Sequence, residues 1–271
     1  MFEIFGSYHW LYLVVIALLF FIFDQLLALI NNKTQHRILF VLTLVNVGVH
    51  FAKALTKDYV SDNMMYFNMT LTNLCAVNTV LFPFVMLIKN KLITNFFQFM
   101  GVASGIMAMV FIYEYDGLHP LDPDIVRYFV THFILMFVSF ELVRTNYVKY
   151  SYRNSIFFGV LFLLEQGIIY YDAVLCKKYG LIEYITICNQ SFIFGVNQES
   201  MNFFNSLSWM IPDRFYQDGV VTPVLWQFGP AFYATIIIFL ISVFFVDKEG
   251  FQKEIRKIKN LFINKYDRID E

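Results

Sequence analysis

One thiol stands out among the residues able to do chemistry. Cys75 lies within Asn68-Met69-Thr70-Leu71-Thr72-Asn73-Leu74-Cys75-Ala76-Val77-Asn78-Thr79, inside an otherwise apolar run. At helical spacing Asn68, Thr72, Cys75, Asn78 and Thr79 share one face, with the apolar residues turned away. A polar stripe in a segment long enough to cross a bilayer is costly unless it faces other helices or water. A thiol on that stripe is a candidate nucleophile if a base stands beside it. A single intramembrane Cys also serves as a small hydrophobe, so the reading rests on what other segments bring to it.

Three other apolar segments carry polar stripes. His132 shares a face with Asp124, Arg127, Tyr128, Thr131 and Ser139; Asn46, His50, Lys53 and Lys57 form a second stripe; Glu165, Gln166 and Asp172 form a third. Each ionisable group inside a membrane costs a few kcal/mol or more, so four stripes at one depth imply a shared site. The chemistry such a set supports is nucleophilic acyl transfer. His132 would take the proton of Cys75, and the thiolate would attack an ester carbonyl. Arg127 is suited to an oxyanion or a phosphate, and His50, Lys53 and Asn78 complete a place for a lipid headgroup. Glu165 has three candidate partners, as the orienter of His132 or as the counter-ion of Arg127 or Lys53, and the spacing does not choose among them.

The elements that must position these residues are membrane spans. Hydrophobic residues make up 58% of the chain and charged residues 15%, against roughly a quarter charged in soluble domains. The fold class expected is all-α, a polytopic helical bundle of about seven transmembrane helices. Seven segments near the ~20 residues that cross a hydrocarbon core lie at 10–30, 37–55, 66–88, 94–115, 124–147, 154–175 and 222–246. The first has no basic leader and no small-residue cleavage site, which argues against a signal peptide. Lys33 and Arg37, Lys89 and Lys91, then Arg144, Lys149 and Arg153 fall in alternate loops, and the tail after Val246 is basic as well. The opposite loop carries Asp116, Asp122 and Asp124. The positive-inside rule then places the N-terminus outside and the C-terminus in the cytoplasm. With that orientation Cys75 and His132 sit at about 13 and 12 Å from the outer ends of their spans.

Residues 1–247 read as the transmembrane domain and 248–271 as a cytoplasmic tail. Within the former, 176–221 is too polar for a span and too apolar for a plain loop, and reads as a re-entrant or interfacial segment on the outer side. Cys176 and Cys188 fall there, as a possible disulfide or as two unrelated buried thiols. In the tail, Phe251, Ile255, Ile258, Leu261 and Phe262 recur at helical spacing among basic residues, which suits a helix on an anionic cytoplasmic surface or a solvated basic anchor. No repeat is evident. The three Cys lack a CxxC pairing, so neither a metal knuckle, a dithiol motif nor a cofactor is implied. Basic residues flank apolar spans and form no nucleic-acid module.

Several motifs carry a family resemblance. Gly6-Ser7-Tyr8-His9-Trp10 opens the first span, and Leu71 to Cys75 forms a Leu-x-x-Leu-Cys element. Asp122-Pro123-Asp124-Ile125-Val126-Arg127-Tyr128-Phe129-Val130-Thr131-His132-Phe133 follows, then Phe194-Gly195-Val196-Asn197 and Phe228-Gly229-Pro230-Ala231-Phe232-Tyr233. Over roughly 1–245 the chain resembles the YwaF-type bacterial integral membrane protein family, related to the transmembrane protein 164 acyltransferase family. The resemblance implies a phospholipid acyltransferase working through an acyl-enzyme, with Cys75 as nucleophile, His132 as base, and Arg127 and Asn197 in support. The chain departs from the bacterial pattern at Asn73, where a His is frequent, at Ala76, where a Ser follows the Cys, and at Gln198, where a Tyr follows the Asn.

The function expected is therefore transfer of a fatty acyl chain from a membrane phospholipid through Cys75, in a multi-pass protein of the cell membrane. Two other functions use the same residues. A lipid hydrolase would put water in the place of the acceptor, and a lipid or small-solute binding protein or transporter would use the stripes as a pocket.

Overall fold

The computed structural model describes residues 1–3, 5–55, 71, 73–110, 112, 117–178, 216–217, 220–221 and 235–266. The architecture is helical. In order come α1 (Ser7–Ala28), α2 (Asn32–Phe51) with a 3₁₀ turn at Ala52–Leu55, α3 (Leu74–Ile88), α4 (Lys91–Val110) and α5 (Pro123–Arg144). These are followed by a single turn α6 (Tyr152–Ser155), α7 (Phe158–Lys178), α8 (Thr235–Val246) and α9 (Lys248–Tyr266). A two-residue antiparallel ladder joins Tyr216–Gln217 to Val220–Val221. Among the described residues α1, α4 and α5 are long and apolar enough to cross a membrane, and α3 and α8 are shorter apolar helices.

Local chemistry explains where the helices start. Asn31 caps α2 by accepting the Thr34 N–H. Asp122 caps α5 by accepting the Asp124 N–H at 2.9 Å, and Pro123 takes the first helical position, where its missing N–H costs nothing. Asn73, in extended backbone, caps α3 by accepting the Ala76 N–H at 2.9 Å. That cap sets a correction to the expected third span. The helix begins at Leu74 and not near residue 66, because Asn73 leaves helical geometry to serve as the cap. Asn68, Thr72 and Lys57 lie outside the described residues, so the helical stripe holding Cys75 runs from Cys75 through Asn78 and Thr79.

α5 is the most enclosed of the three long helices and α1 the least. The side chains of α1 are mostly exposed, as befits a helix against lipid, whereas α5 buries Leu135, Phe137, Val138 and Leu142 in the main core with Leu39, Phe82, Met86, Phe96 and Phe158. α4 meets α5 at a Gly101-x-x-x-Gly105 step. A Cβ on Gly101 would overlap Ser139 Oγ, and one on Gly105 would lie 2.9 Å from the His132 carbonyl oxygen. Small residues at four-residue spacing let two helix backbones approach in lipid, where packing drives association.

The two ends of the bundle differ in charge. At one end Phe2 donates its N–H to Leu118 and accepts from the Gly117 N–H, and Tyr12 donates to the Pro120 carbonyl. At the other, Arg144 bridges Asp24 at 2.9 Å and Glu141 at 2.5 Å, Lys89 lies over the Tyr147 ring, and Asn154 donates to the Lys91 carbonyl. The loops bearing Lys89, Lys91, Arg144, Lys149 and Arg153 thus gather at one basic end, with His36 of α2 in contact with Thr145 there. Asp24 and Glu141, on different helices, share one arginine.

Candidate functional site

Cys75 occupies the first turn of α3, directly after the Asn73 cap, and is half-buried. Its Sγ lies 3.9 Å from the Ser104 carbonyl of α4. At the start of a helix the backbone N–H groups lack carbonyl partners and the macrodipole is positive, so negative charge developing on sulfur or on an attacked carbonyl is stabilised there.

His132, on α5, meets the next residue of α4 through its backbone. Gly105, the residue after Ser104, packs its Cα against the His132 carbonyl. Counting from the basic end at 1.5 Å per residue, Cys75, Ser104 and His132 stand about 20, 20 and 18 Å along α3, α4 and α5, so they share one level. The ring is held by its own helix. Nδ1 lies 2.7 Å from the Tyr128 carbonyl, and the Tyr128 ring packs on it at 4.1 Å between centroids. A carbonyl accepts only, so Nδ1 carries the hydrogen and in the neutral ring Nε2 carries the lone pair. No described residue bonds to Nε2. Tyr128 is in turn fixed by donating its hydroxyl to the Ala108 carbonyl at 2.9 Å.

His9 shows the contrast. Its Nδ1 accepts the Phe5 N–H and its Nε2 donates to the Met109 carbonyl, both at 2.9 Å. Fully buried with both nitrogens engaged, it ties α1 to α4 and has no lone pair left for chemistry.

The other candidates fall into three groups. Lys53, on the 3₁₀ turn after α2, and Arg127 lie within electrostatic range of His132. Arg127 also pairs with Asp124 one turn earlier at 3.1 Å, the pair being largely buried. His50 and Asn46 are buried on α2, and Asn46 reaches Thr79 of α3 at 3.5 Å. Asn78 is fully buried but turns its amide back to the Leu74 carbonyl at 2.8 Å. Glu165 is buried on α7, and neither of its carboxylate oxygens finds a hydrogen-bond partner among the described residues. It therefore neither orients His132 nor pairs with Arg127 or Lys53 through a hydrogen bond; Asp124 holds the arginine. Asn197 lies outside the described residues, as do Cys188 and most of 176–221. Cys176 lies on α7, which runs on to Lys178.

Around Cys75 and His132, Asn78 Oδ1, Ser104 Oγ and Thr131 Oγ1 are buried without a hydrogen-bond partner among the described residues. Buried polar atoms left unbonded cost about 1–3 kcal/mol each, a cost that an arriving polar group can relieve. Toward the basic end the space closes. The gap lined by Thr43, Asn46, Thr79, Phe82, Leu135 and Val138 leaves no room for a water molecule.

Ser104, Gly105, Asn73 and the Tyr128 carbonyl are the parts that a search for reactive side chains passes over. Only the Gly101-x-x-x-Gly105 spacing signals any of them in the sequence.

The model of the TMEM164 family matches residues 4–217, a stretch that holds every candidate from His50 to Asn197. The chain belongs to the TMEM164 family. This is the family to which the motifs point, and with the apolar helices it marks a membrane protein. The TMEM164 match stops before α8 and α9. No curated protein and no solved structure matches the chain.

Proposed function

We propose that this TMEM164-family protein is a seven-span acyltransferase of the cell membrane, with its N-terminus outside and its C-terminus in the cytoplasm. It moves a fatty acyl chain from a phospholipid to a second lipid acceptor in the outer half of the bilayer. His132 Nε2 takes the Cys75 proton, and the sulfur attacks the ester carbonyl carbon. The tetrahedral intermediate collapses as the C–O bond breaks, and the imidazolium returns the proton to the departing lysophospholipid oxygen. The acceptor hydroxyl then gives its proton to His132 and attacks the thioester carbonyl. Thiolate leaves and regains the proton. Arg127 and Lys53 hold the phosphate, and His50, Asn78, Glu165 and Asn197 line the rest of the substrate site.

The observation that carries this reading is the Ser104–Gly105 step of α4, which touches the Cys75 sulfur with one carbonyl and seats the His132 backbone with the next residue. The tautomer set by Tyr128 leaves the His132 nitrogen needed for proton transfer in its basic form.

The test is intact mass of the purified protein after incubation with phospholipid vesicles, with and without hydroxylamine. A hydroxylamine-labile acyl adduct on Cys75 is expected, lost in Cys75→Ala. If no adduct forms and Cys75→Ala leaves the membrane lipid composition unchanged, the pocket is a binding site, and Arg127→Ala should then abolish lipid binding. Free fatty acid in place of an acylated acceptor would mark a hydrolase.

A further inference from the structure

The helix that follows the bundle is not explained by the acyl-transfer site. α9 begins at Lys248, directly after the apolar α8, and its root is tied to the basic end of the bundle at several points. Asp247 caps α9 by accepting the Gly250 N–H at 3.2 Å, and its other oxygen accepts the Tyr152 N–H at 3.2 Å. A Cβ on Gly250 would run into that carboxylate, so the cap needs glycine there. Glu254 accepts the Tyr152 hydroxyl at 2.5 Å and is ion-paired with Arg153, while Phe251 packs edge-on against Tyr152 at 5.4 Å. Tyr150, in the same loop, bonds Ser242 of α8 at 2.8 Å, and burial pushes its hydroxyl up to about 12, so it stays protonated at neutral pH.

This docking sorts the charges of α9. Glu254 turns inward to Tyr152 and Arg153, while Lys248, Lys253, Arg256, Lys257 and Lys259 are exposed. Ile255 is exposed beside them and begins the apolar series that helical spacing continues through Ile258, Leu261 and Phe262. A short helix with a cationic surface and an apolar edge, rooted where an apolar helix ends, matches the boundary between acyl chains and anionic headgroups.

We infer that α9 is an anionic-phospholipid-binding helix, lying on the membrane face at the basic end of the bundle and held in place by the Tyr152–Asp247–Glu254 root. The occupant of its cationic surface is the headgroup layer of the protein's own bilayer. The TMEM164 match ends at residue 217, so this surface is a property of the chain beyond the matched family region.

The test uses the full chain reconstituted in vesicles of phosphatidylcholine alone or with about 30% phosphatidylglycerol. Hydrogen–deuterium exchange of 248–266 is followed by mass spectrometry. Exchange in the anionic vesicles should be slower by about tenfold or more, and high salt should reverse the difference. Combining Lys253→Gln, Arg256→Gln, Lys257→Gln and Lys259→Gln, all at exposed positions, should remove it while leaving exchange in α4 and α5 unchanged. Equal exchange in the two vesicles, or slowing that persists in the fourfold variant, would overturn the inference and leave α9 as a helix held only by its docking to the loop.

Discussion

His9 and His132 are both buried in the half of the bundle away from the basic loops, yet their surroundings give them different capacities. Two backbone groups consume both nitrogens of His9, whereas one carbonyl consumes only Nδ1 of His132. The sequence showed the two residue types and the depth of His132. It could not show which nitrogen each backbone would engage, since that depends on carbonyls from Met109 and Tyr128. Arg127 is a similar case. Read alone it is a cation for a phosphate, but Asp124 one turn earlier already faces it. A difference in reactivity follows for the thiol. Alkylation of Cys75 by iodoacetamide at neutral pH, resolved by peptide mass spectrometry, should slow by on the order of tenfold in His132→Ala, because the proposed base no longer draws off the proton. In His9→Ala the rate should hold while stability falls. An unchanged rate in His132→Ala would remove the base from the scheme.

The elements set the distances that the residues need. α3 starts at Leu74, after the Asn73 cap, so Cys75 stands at a helix start. The spacing of polar residues predicted their common face but not that boundary, since Asn is an ordinary interior residue in a polar stripe until its backbone turns extended. Contact between α4 and α5 depends on Gly101 and Gly105. Gly105→Ala should destabilise the protein by about 1–3 kcal/mol, the usual cost of an extra methyl in a tight contact, because its Cβ meets the His132 carbonyl and Met136. Gly48→Ala is the control, since nothing lies within 4 Å of the added Cβ. Thermal unfolding in detergent should separate the two, with Gly105→Ala melting lower. If both melt alike, the close approach of α4 and α5 does not depend on that glycine.

At the scale of the whole molecule, charge and packing divide the bundle into two ends. The Lys and Arg loops that alternate along the chain come together in space, joined by the Asn154, Tyr147 and Arg144 contacts. The Phe2 and Tyr12 contacts hold the other end to residues 117–120. With the positive-inside rule, that separation gives an orientation that is open to measurement. A protease site added before Met1 should be cut from outside intact cells, and one added after Glu271 only once the cells are opened. Cleavage of the second site from outside would reverse the proposed topology and move the proposed acyl-transfer site to the other leaflet.

The apolar blocks and the alternation of basic loops determined the membrane class, the helical architecture and the grouping of charge, because hydrocarbon thickness and headgroup charge act on local stretches of chain. The polar stripes likewise marked Cys75 and His132, since an unexplained polar residue in an apolar run is visible without knowing its neighbours. What only the tertiary structure decided was how those residues are held: the Ser104 carbonyl near the Cys75 sulfur, Gly105 close to the His132 backbone, the Tyr128 carbonyl on Nδ1, and Asp124 on Arg127. It also left Glu165 without a hydrogen-bond partner among the described residues. Such pairings arise from backbone groups and from helices packed at particular distances. A carbonyl is the same in every residue, so its role emerges only once the chain has folded around it.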